Sequence, residues 1–118
     1  YRKHYQMNLL LIFTLWNAVF ILPASAQEIG FDQYINAPYS SVRDSLINDG
    51  WKTVPNQQIQ DTSLYAQDIF NERYKEVVNC ISMERDQCQF VLTKNETIII
   101  VTTKEKTLNV ESIVAKNK

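Results

Sequence analysis

The chemistry-bearing residues of this sequence are few, and the cysteines come first. Cys80 and Cys88 are its only two. Their C-x7-C spacing lacks the C-x-x-C arrangement of a redox pair, and two thiolates without histidine make a poor zinc site. In an exported chain an even cysteine count favours a disulfide. A hairpin of strands 77–82 and 87–92 centred on Glu84 would set Cys80 opposite Cys88 and Val78 opposite Phe90. Opposed residues bring Cβ atoms within about 4.5–5.5 Å, near the disulfide range.

Carboxylates are the second resource. Asp44 with Asp49, and Glu72 with Glu76, are the pairs close enough in sequence for acid/base work of the glycosidase kind. Both sit among Arg43, Arg73 and Lys75, which reads as solvated helix surface, so no catalytic residue is assigned. Asp61 and Asp68 do not follow a calcium-loop spacing. Gly30 and Gly50 are the only glycines, so there is no phosphate-binding loop and no cofactor is expected. The sole histidine is His4. The chain beyond it therefore has no Ser-His-Asp or Cys-His catalysis and no histidine metal site or general base. Asn95-Glu96-Thr97 matches the N-glycosylation pattern, which matters only in a eukaryotic secretory route.

Aromatic rings are the third resource. Tyr34, Tyr39, Trp51, Tyr65 and Tyr74 form the candidate binding surface, because Tyr and Trp are enriched at interface hot spots. Against this stands a plainer reading, in which Trp51 covers the end of a helix and the tyrosines fill a small core.

The elements that position these residues follow from hydrophobic period. Ile29, Phe31, Tyr34 and Ile35 form an apolar lead-in. Ser40 or Ser41 caps a helix over about 40–49, with Asp44 completing a capping-box-like pattern. Val42, Leu46 and Ile47 make its apolar stripe. Gly50 ends it and Trp51 folds back on the last turn. Residues 52–61 are polar, carry Pro55, and read as a loop. Leu64, Tyr65, Ile69, Phe70 and Tyr74 mark a second helix at about 63–73. The period then changes: residues 77–82, 87–92, 98–101 and 108–114 read as strands. Polar turns at Glu84-Arg85-Asp86, Lys94-Asn95-Glu96 and Lys104-Glu105-Lys106 separate them. The fold class is α+β, two N-terminal helices packed on a four-stranded antiparallel meander.

Residues 1–26 read as a cleavable signal peptide: Arg2-Lys3-His4, an apolar run Met7–Leu22, then Pro23 and Ala24-Ser25-Ala26. The run is shorter than the roughly 20 apolar residues of a membrane span. The remainder, 27–118, reads as a single domain in the periplasm or secreted medium, with no stable membrane span after cleavage. With 12 basic and 13 acidic residues and no basic stripe, nucleic acid is not an expected partner.

The run Ile35-Asn-Ala-Pro-Tyr-Ser-Ser-Val-Arg-Asp-Ser-Leu-Ile-Asn-Asp-Gly-Trp51, followed by Tyr74-Lys-Glu-Val-Val-Asn-Cys80 and Cys88-Gln-Phe90, resembles a group of small bacterial periplasmic proteins. The layout over residues 35–114 is also similar to one repeat of the β-lactamase inhibitory protein and, more loosely, to the outer-membrane assembly lipoprotein BamE. Ala37-Pro38-Tyr39 stands where those relatives carry a Gly-Met/Leu-Thr turn, and no lipid-anchor cysteine is present. The resemblance implies the fold and no functional residue. The expected function is a non-enzymatic binding, inhibitor or immunity-type module acting on another envelope protein. The alternatives are an envelope-assembly or structural accessory protein and a carboxylate-driven hydrolase. An inhibitor should expose clustered aromatics, an assembly factor a groove or edge strand, and a hydrolase a cleft with two facing carboxylates.

Overall fold

The structure, a computed structural model, describes residues 30–117. The expected signal segment 1–26 and Ile29 of the lead-in lie outside the described residues. In chain order the elements are α1 (Tyr39–Asn48), β1 (Lys52–Thr53), α2 (Leu64–Glu72), β2 (Val77–Ile81), β3 (Gln87–Lys94), β4 (Thr97–Lys104) and β5 (Asn109–Asn117). Short 3-10 turns occur at Asp32–Tyr34 and Ile59–Asp61. The fold is α+β, as expected, but the antiparallel sheet has five strands rather than four.

The fifth strand comes from the stretch expected to be loop. Lys52 and Thr53 pair with Thr93 and Leu92 of β3. The geometry at the end of α1 directs them there. Gly50 adopts φ 100°, which only glycine takes without strain. The Gly50 N–H then donates to the Ile47 carbonyl, and the Trp51 N–H to the Leu46 carbonyl, both at 3.0 Å. This pair of bonds is a Schellman motif, and it turns the chain alongside β3. Pro55, lacking an N–H, stops the strand two residues later.

The start of α1 differs from expectation. Neither Ser40 nor Ser41 caps it; Pro38 occupies the capping position and no side chain bonds the first turn. The Pro38 carbonyl accepts from the Ser41 and Val42 N–H groups, and the Tyr39 N–H donates to the Leu108 carbonyl at 2.8 Å. A tertiary acceptor thus does the work of a cap. Leu108 meets it at a cost: it is buried and holds φ 56°, a conformation that bulky residues avoid. The buried stripe of α1 is Tyr39, Val42 and Leu46, whereas Ile47, one residue round the helix, is exposed. In α2 the Ser63 side chain does cap, accepting from the Ala66 N–H at 3.1 Å. Ala66 and Ile69 are buried there, but Leu64 faces solvent.

Strands β2 to β5 form the expected meander, with turns at the three polar clusters. The register of β2 is shifted from the one expected. Cys80 does face Cys88, but a bulge places Val77, not Val78, opposite Phe90. The bulge has a packing reason. Val77 and Cys80 are an odd number of residues apart, and only an inserted residue lets both point into the core; Val78 is that residue and is exposed.

One cluster of buried side chains unites the layers: Tyr39, Val42 and Leu46 of α1, Ala66 and Ile69 of α2, and Phe90, Leu92, Ile99, Val101 and Val110 of the sheet. Both helices therefore lie on the sheet face that carries Phe90. The other face keeps its side chains at least partly exposed.

Candidate binding face

The residues singled out for chemistry do not converge. Cys80 and Cys88 form a disulfide with both sulfur-bearing residues buried. Asp44 and Asp49 are exposed on and after α1, and Asp49 pairs with Lys94 at 3.6 Å. Glu72 is exposed, but Glu76 is not the solvated residue it was expected to be. It is buried, with its side chain fully enclosed.

The Glu76 carboxylate is the main feature that spacing did not reveal. Its Oε2 accepts from the Tyr39 hydroxyl at 2.7 Å and from Arg43 Nε at 2.6 Å, while Arg43 Nη2 lies 3.4 Å from Oε1. Charge-assisted bonds of this kind satisfy a buried carboxylate. Its own carbonyl accepts from the Val91 N–H at 3.3 Å, so one residue joins α1 to the sheet. Tyr39 stacks on Phe90 at 4.0 Å and meets Tyr74 edge-on at 5.0 Å, and Arg43 lies over the Tyr74 ring. No buried polar side-chain atom among the described residues lacks a partner. The cluster is a completed tether rather than a site waiting for substrate.

The cluster makes one pH prediction. Burial, followed by the adjacent Glu76 charge, pushes the Tyr39 phenol well above its ordinary value of 10.0. A group whose folded pKa is raised contributes fully below its unfolded pKa and loses that contribution as pH climbs past it. Below pH 10 wild-type protein should exceed Tyr39→Phe in stability by about 1.5–3 kcal/mol, the range for a hydrogen bond to a charged group. Above pH 10 the gap should close by up to about 1.4 kcal/mol per pH unit. Urea unfolding of both proteins between pH 8 and 11 reads this (window set by the ordinary tyrosine range, about 10); a gap independent of pH contradicts it.

The aromatic candidates divide. Tyr39, Trp51 and Tyr74 are core residues, with Trp51 only 3 % exposed. Trp51 is held by Phe31, edge-on at 6.2 Å, and by Lys94, whose Nζ sits 5.9 Å from the ring. Tyr34 and Tyr65 are half-buried against the core. Tyr65 also lines a groove of about 500 Å³ beside α2, together with Asp68, Glu72, Arg73, Asp86 and Lys106. Burial, then the Asp86 charge, raises the Tyr65 phenol. Three carboxylates and two cations line this groove, and no set of three acidic, cysteine or histidine residues suited to a metal occurs among the described residues. Among them, too, no helix is long and apolar enough to cross a membrane.

The helix-free face of the sheet is the second feature. Strand alternation puts Val91, Ile100 and Val114 on it, and the register makes them one row, each directly opposite the next. Val54, whose N–H donates to the Val91 carbonyl at 3.2 Å, sits at the end of that row. A second row runs Lys52, Thr93, Ile98, Lys116. A third, polar row runs Gln89, Thr102, Ser112. Lys104 shares the same face, at the end where the Glu111 carboxylate accepts from Gln87 Nε2 at 2.9 Å and Arg85 Nη2 at 2.7 Å; no carboxylate lies in the three rows themselves. In a chain of net charge −1, this face combines an aliphatic row with lysines.

The chain matches no protein-family model, no curated protein and no solved structure.

Proposed function

We propose that this protein is an exported, non-enzymatic binding module of the inhibitor or immunity type, which engages another envelope protein through the helix-free face of its sheet. The row Val91–Ile100–Val114 carries the reading. An aliphatic strip bounded by polar and lysine-bearing rows has the anatomy of an interface core with its rim. The lysines call for a partner with acidic residues around an apolar centre. Aromatic anchors do not contribute, since Trp51, Tyr39 and Tyr74 are buried and Tyr34 and Tyr65, half-buried against the core, lie outside these rows; the contact rests on aliphatic area instead. A role as an envelope-assembly or structural accessory is the second reading, favoured by the open edge of β5 described below.

The test is capture of a partner from an envelope extract of the source organism by the exported, oxidised protein and by Ile100→Glu. The substitution sits on the half-exposed face and should leave the melting temperature nearly unchanged. Wild-type protein should retain one stoichiometric protein, released by salt, and Ile100→Glu should weaken that binding by roughly thirtyfold or more, the scale of a central hot spot. Equal retention by both proteins would move the site off this face. Recovery of lipid or wall material alone would favour the accessory role.

A further inference from the structure

The two edges of the sheet are treated differently. On the β2 side the backbone is occupied by side chains. Asn56 Nδ2 donates to the Val77 and Val78 carbonyls, the Ser63 hydroxyl donates to the Cys80 carbonyl, and Asn79 Oδ1 accepts from the Cys80 N–H. The bulge at Val78 distorts the same edge. These are the devices by which proteins blunt an edge against pairing. On the β5 side only the start is covered: Asn36 N–H donates to the Val110 carbonyl, Val110 N–H donates to the Ala37 carbonyl, and Pro38 bridges Asn109. From Glu111 to Asn117 the outer edge carries no hydrogen bond to another described residue, and Val114, Ala115, Lys116 and Asn117 are exposed.

Which backbone groups point out follows from the register. Antiparallel pairs alternate between bonded and non-bonded. The two-residue turn Asn95–Glu96 makes Lys94–Thr97 a bonded pair. Odd-numbered residues of β4 therefore turn their backbone to β3, and even-numbered ones to β5. Ile98–Lys116, Ile100–Val114 and Thr102–Ser112 are then the bonded pairs with β5. Ile113 and Ala115 are left with N–H and C=O aimed at the open edge. The outward bonds of Val110, opposite Thr103, agree with this alternation across the second bulge.

We propose that the edge of β5 pairs with the same edge of a second copy of this chain, antiparallel about a two-fold axis at Val114. A two-fold perpendicular to the sheet keeps each face on its own side, so paired residues share parity. Centring on Ile113 would bring Lys116 against Val110, whose N–H and C=O are already taken by Ala37 and Asn36. Centring on Val114 is the first register that clears this segment. It pairs Ile113 with Ala115 twice, Ser112 with Lys116, and Glu111 with Asn117. Four backbone hydrogen bonds form, and no like charges face each other. The two aliphatic rows then join through Val114 into one that runs Val91–Ile100–Val114 and back through the second copy in reverse order. The self-complementary register, and not the identity of any other partner, selects a second copy, so this proposal stands apart from the function proposed above.

Sedimentation of the full exported protein should show a concentration-dependent monomer–dimer equilibrium. Ala115→Pro removes an N–H that bonds nothing within the protomer and is tolerated at an edge position. It should raise the dimer dissociation constant by roughly tenfold or more, because two backbone hydrogen bonds are lost per dimer. Val114→Cys places two thiols in a non-bonded pair, whose Cβ separation suits a disulfide. Mild oxidation should yield a covalent dimer from Val114→Cys and little from Lys116→Cys, which faces Ser112. A wild-type protein that stays monomeric at every accessible concentration overturns the proposal, as does equal cross-linking of the two cysteine variants; the edge would then be a slot for a different chain.

Discussion

Arg43→Met is expected to destabilise the domain by about 3 kcal/mol, the lower end of the range for removing one partner of a buried ion pair. The lower end applies because the Arg43 side chain keeps 26 % of its exposure while that of Glu76 keeps none. Without Arg43, Oε2 retains only the Tyr39 hydroxyl and Oε1 has no donor. The carboxylate can then neither be solvated nor stay charged cheaply. For a domain of this size the loss should lower the melting temperature by roughly 12–24 °C. A full replacement of the cluster should have the opposite outcome. The triple variant Tyr39→Phe, Arg43→Met, Glu76→Leu leaves no polar atom behind and keeps the stacking of ring 39 on Phe90. It should return to within about 1–2 kcal/mol of wild type, since apolar replacements of buried pairs are often neutral. Chemical unfolding of the single and triple variants decides the matter. A loss under about 1 kcal/mol for Arg43→Met would mean that water reaches Glu76 and that the tether is not the joint it is taken to be.

Local signals in the sequence located most of the fold. Gly50-Trp51 ended α1 as expected because a Schellman motif is written in two adjacent residues. The three polar turns and the Cys80–Cys88 pairing were legible for the same reason: each involves neighbours in the chain or across one hairpin. What was missed is non-local. Lys52–Thr53 became a strand because β3 had an unpaired edge beside it, which no window around residue 52 contains. Val78 was displaced because Val77 and Cys80 both found core space, a demand set by α2 and Phe90. Ser40 and Ser41 went unused as caps because the helix starts before them, at Tyr39, with Pro38 in the capping position and the distant Leu108 carbonyl accepting from the Tyr39 N–H. Glu76 shows the limit most plainly. Among Arg73, Lys75 and Glu72 it looks like any charged helix surface, yet its partners, Tyr39 and Arg43, lie 37 and 33 residues away. A glutamate flanked by Tyr74 and Val77, both core residues, was the one available hint. The proposed binding face was also invisible in advance, since the row Val91–Ile100–Val114 exists only once three strands are in register.

Removing the disulfide, by reduction or as Cys80→Ala with Cys88→Ala, should cost about 2 kcal/mol. The chain-entropy figure for so short a loop is about 2.6 kcal/mol, and the hairpin that already restrains the loop brings it down. The melting temperature should fall by roughly 8–15 °C. Because Cys80 and Cys88 are buried, reductant should reach them only through local opening, so reduction should be slow in buffer and fast in urea. Two thiols that react promptly in the native, unreduced protein would remove the premise. Where the loosening appears is the sharper measurement. In the sheet β2 is bonded only to β3, and α2 packs on β2, with the Ser63 hydroxyl bonded to the Cys80 carbonyl. The β3–β4–β5 ladder includes Cys88, opposite Thr103, but is held along its length by its own strand pairing. Hydrogen exchange after reduction should therefore quicken in β2 and α2 first, while β4 and β5 stay protected. The groove beside Tyr65 belongs to the loosened part and the row Val91–Ile100–Val114 to the protected part. If partner binding survives reduction, the sheet face is the site; if it is lost with the groove, the site lies at α2 and the β2–β3 turn.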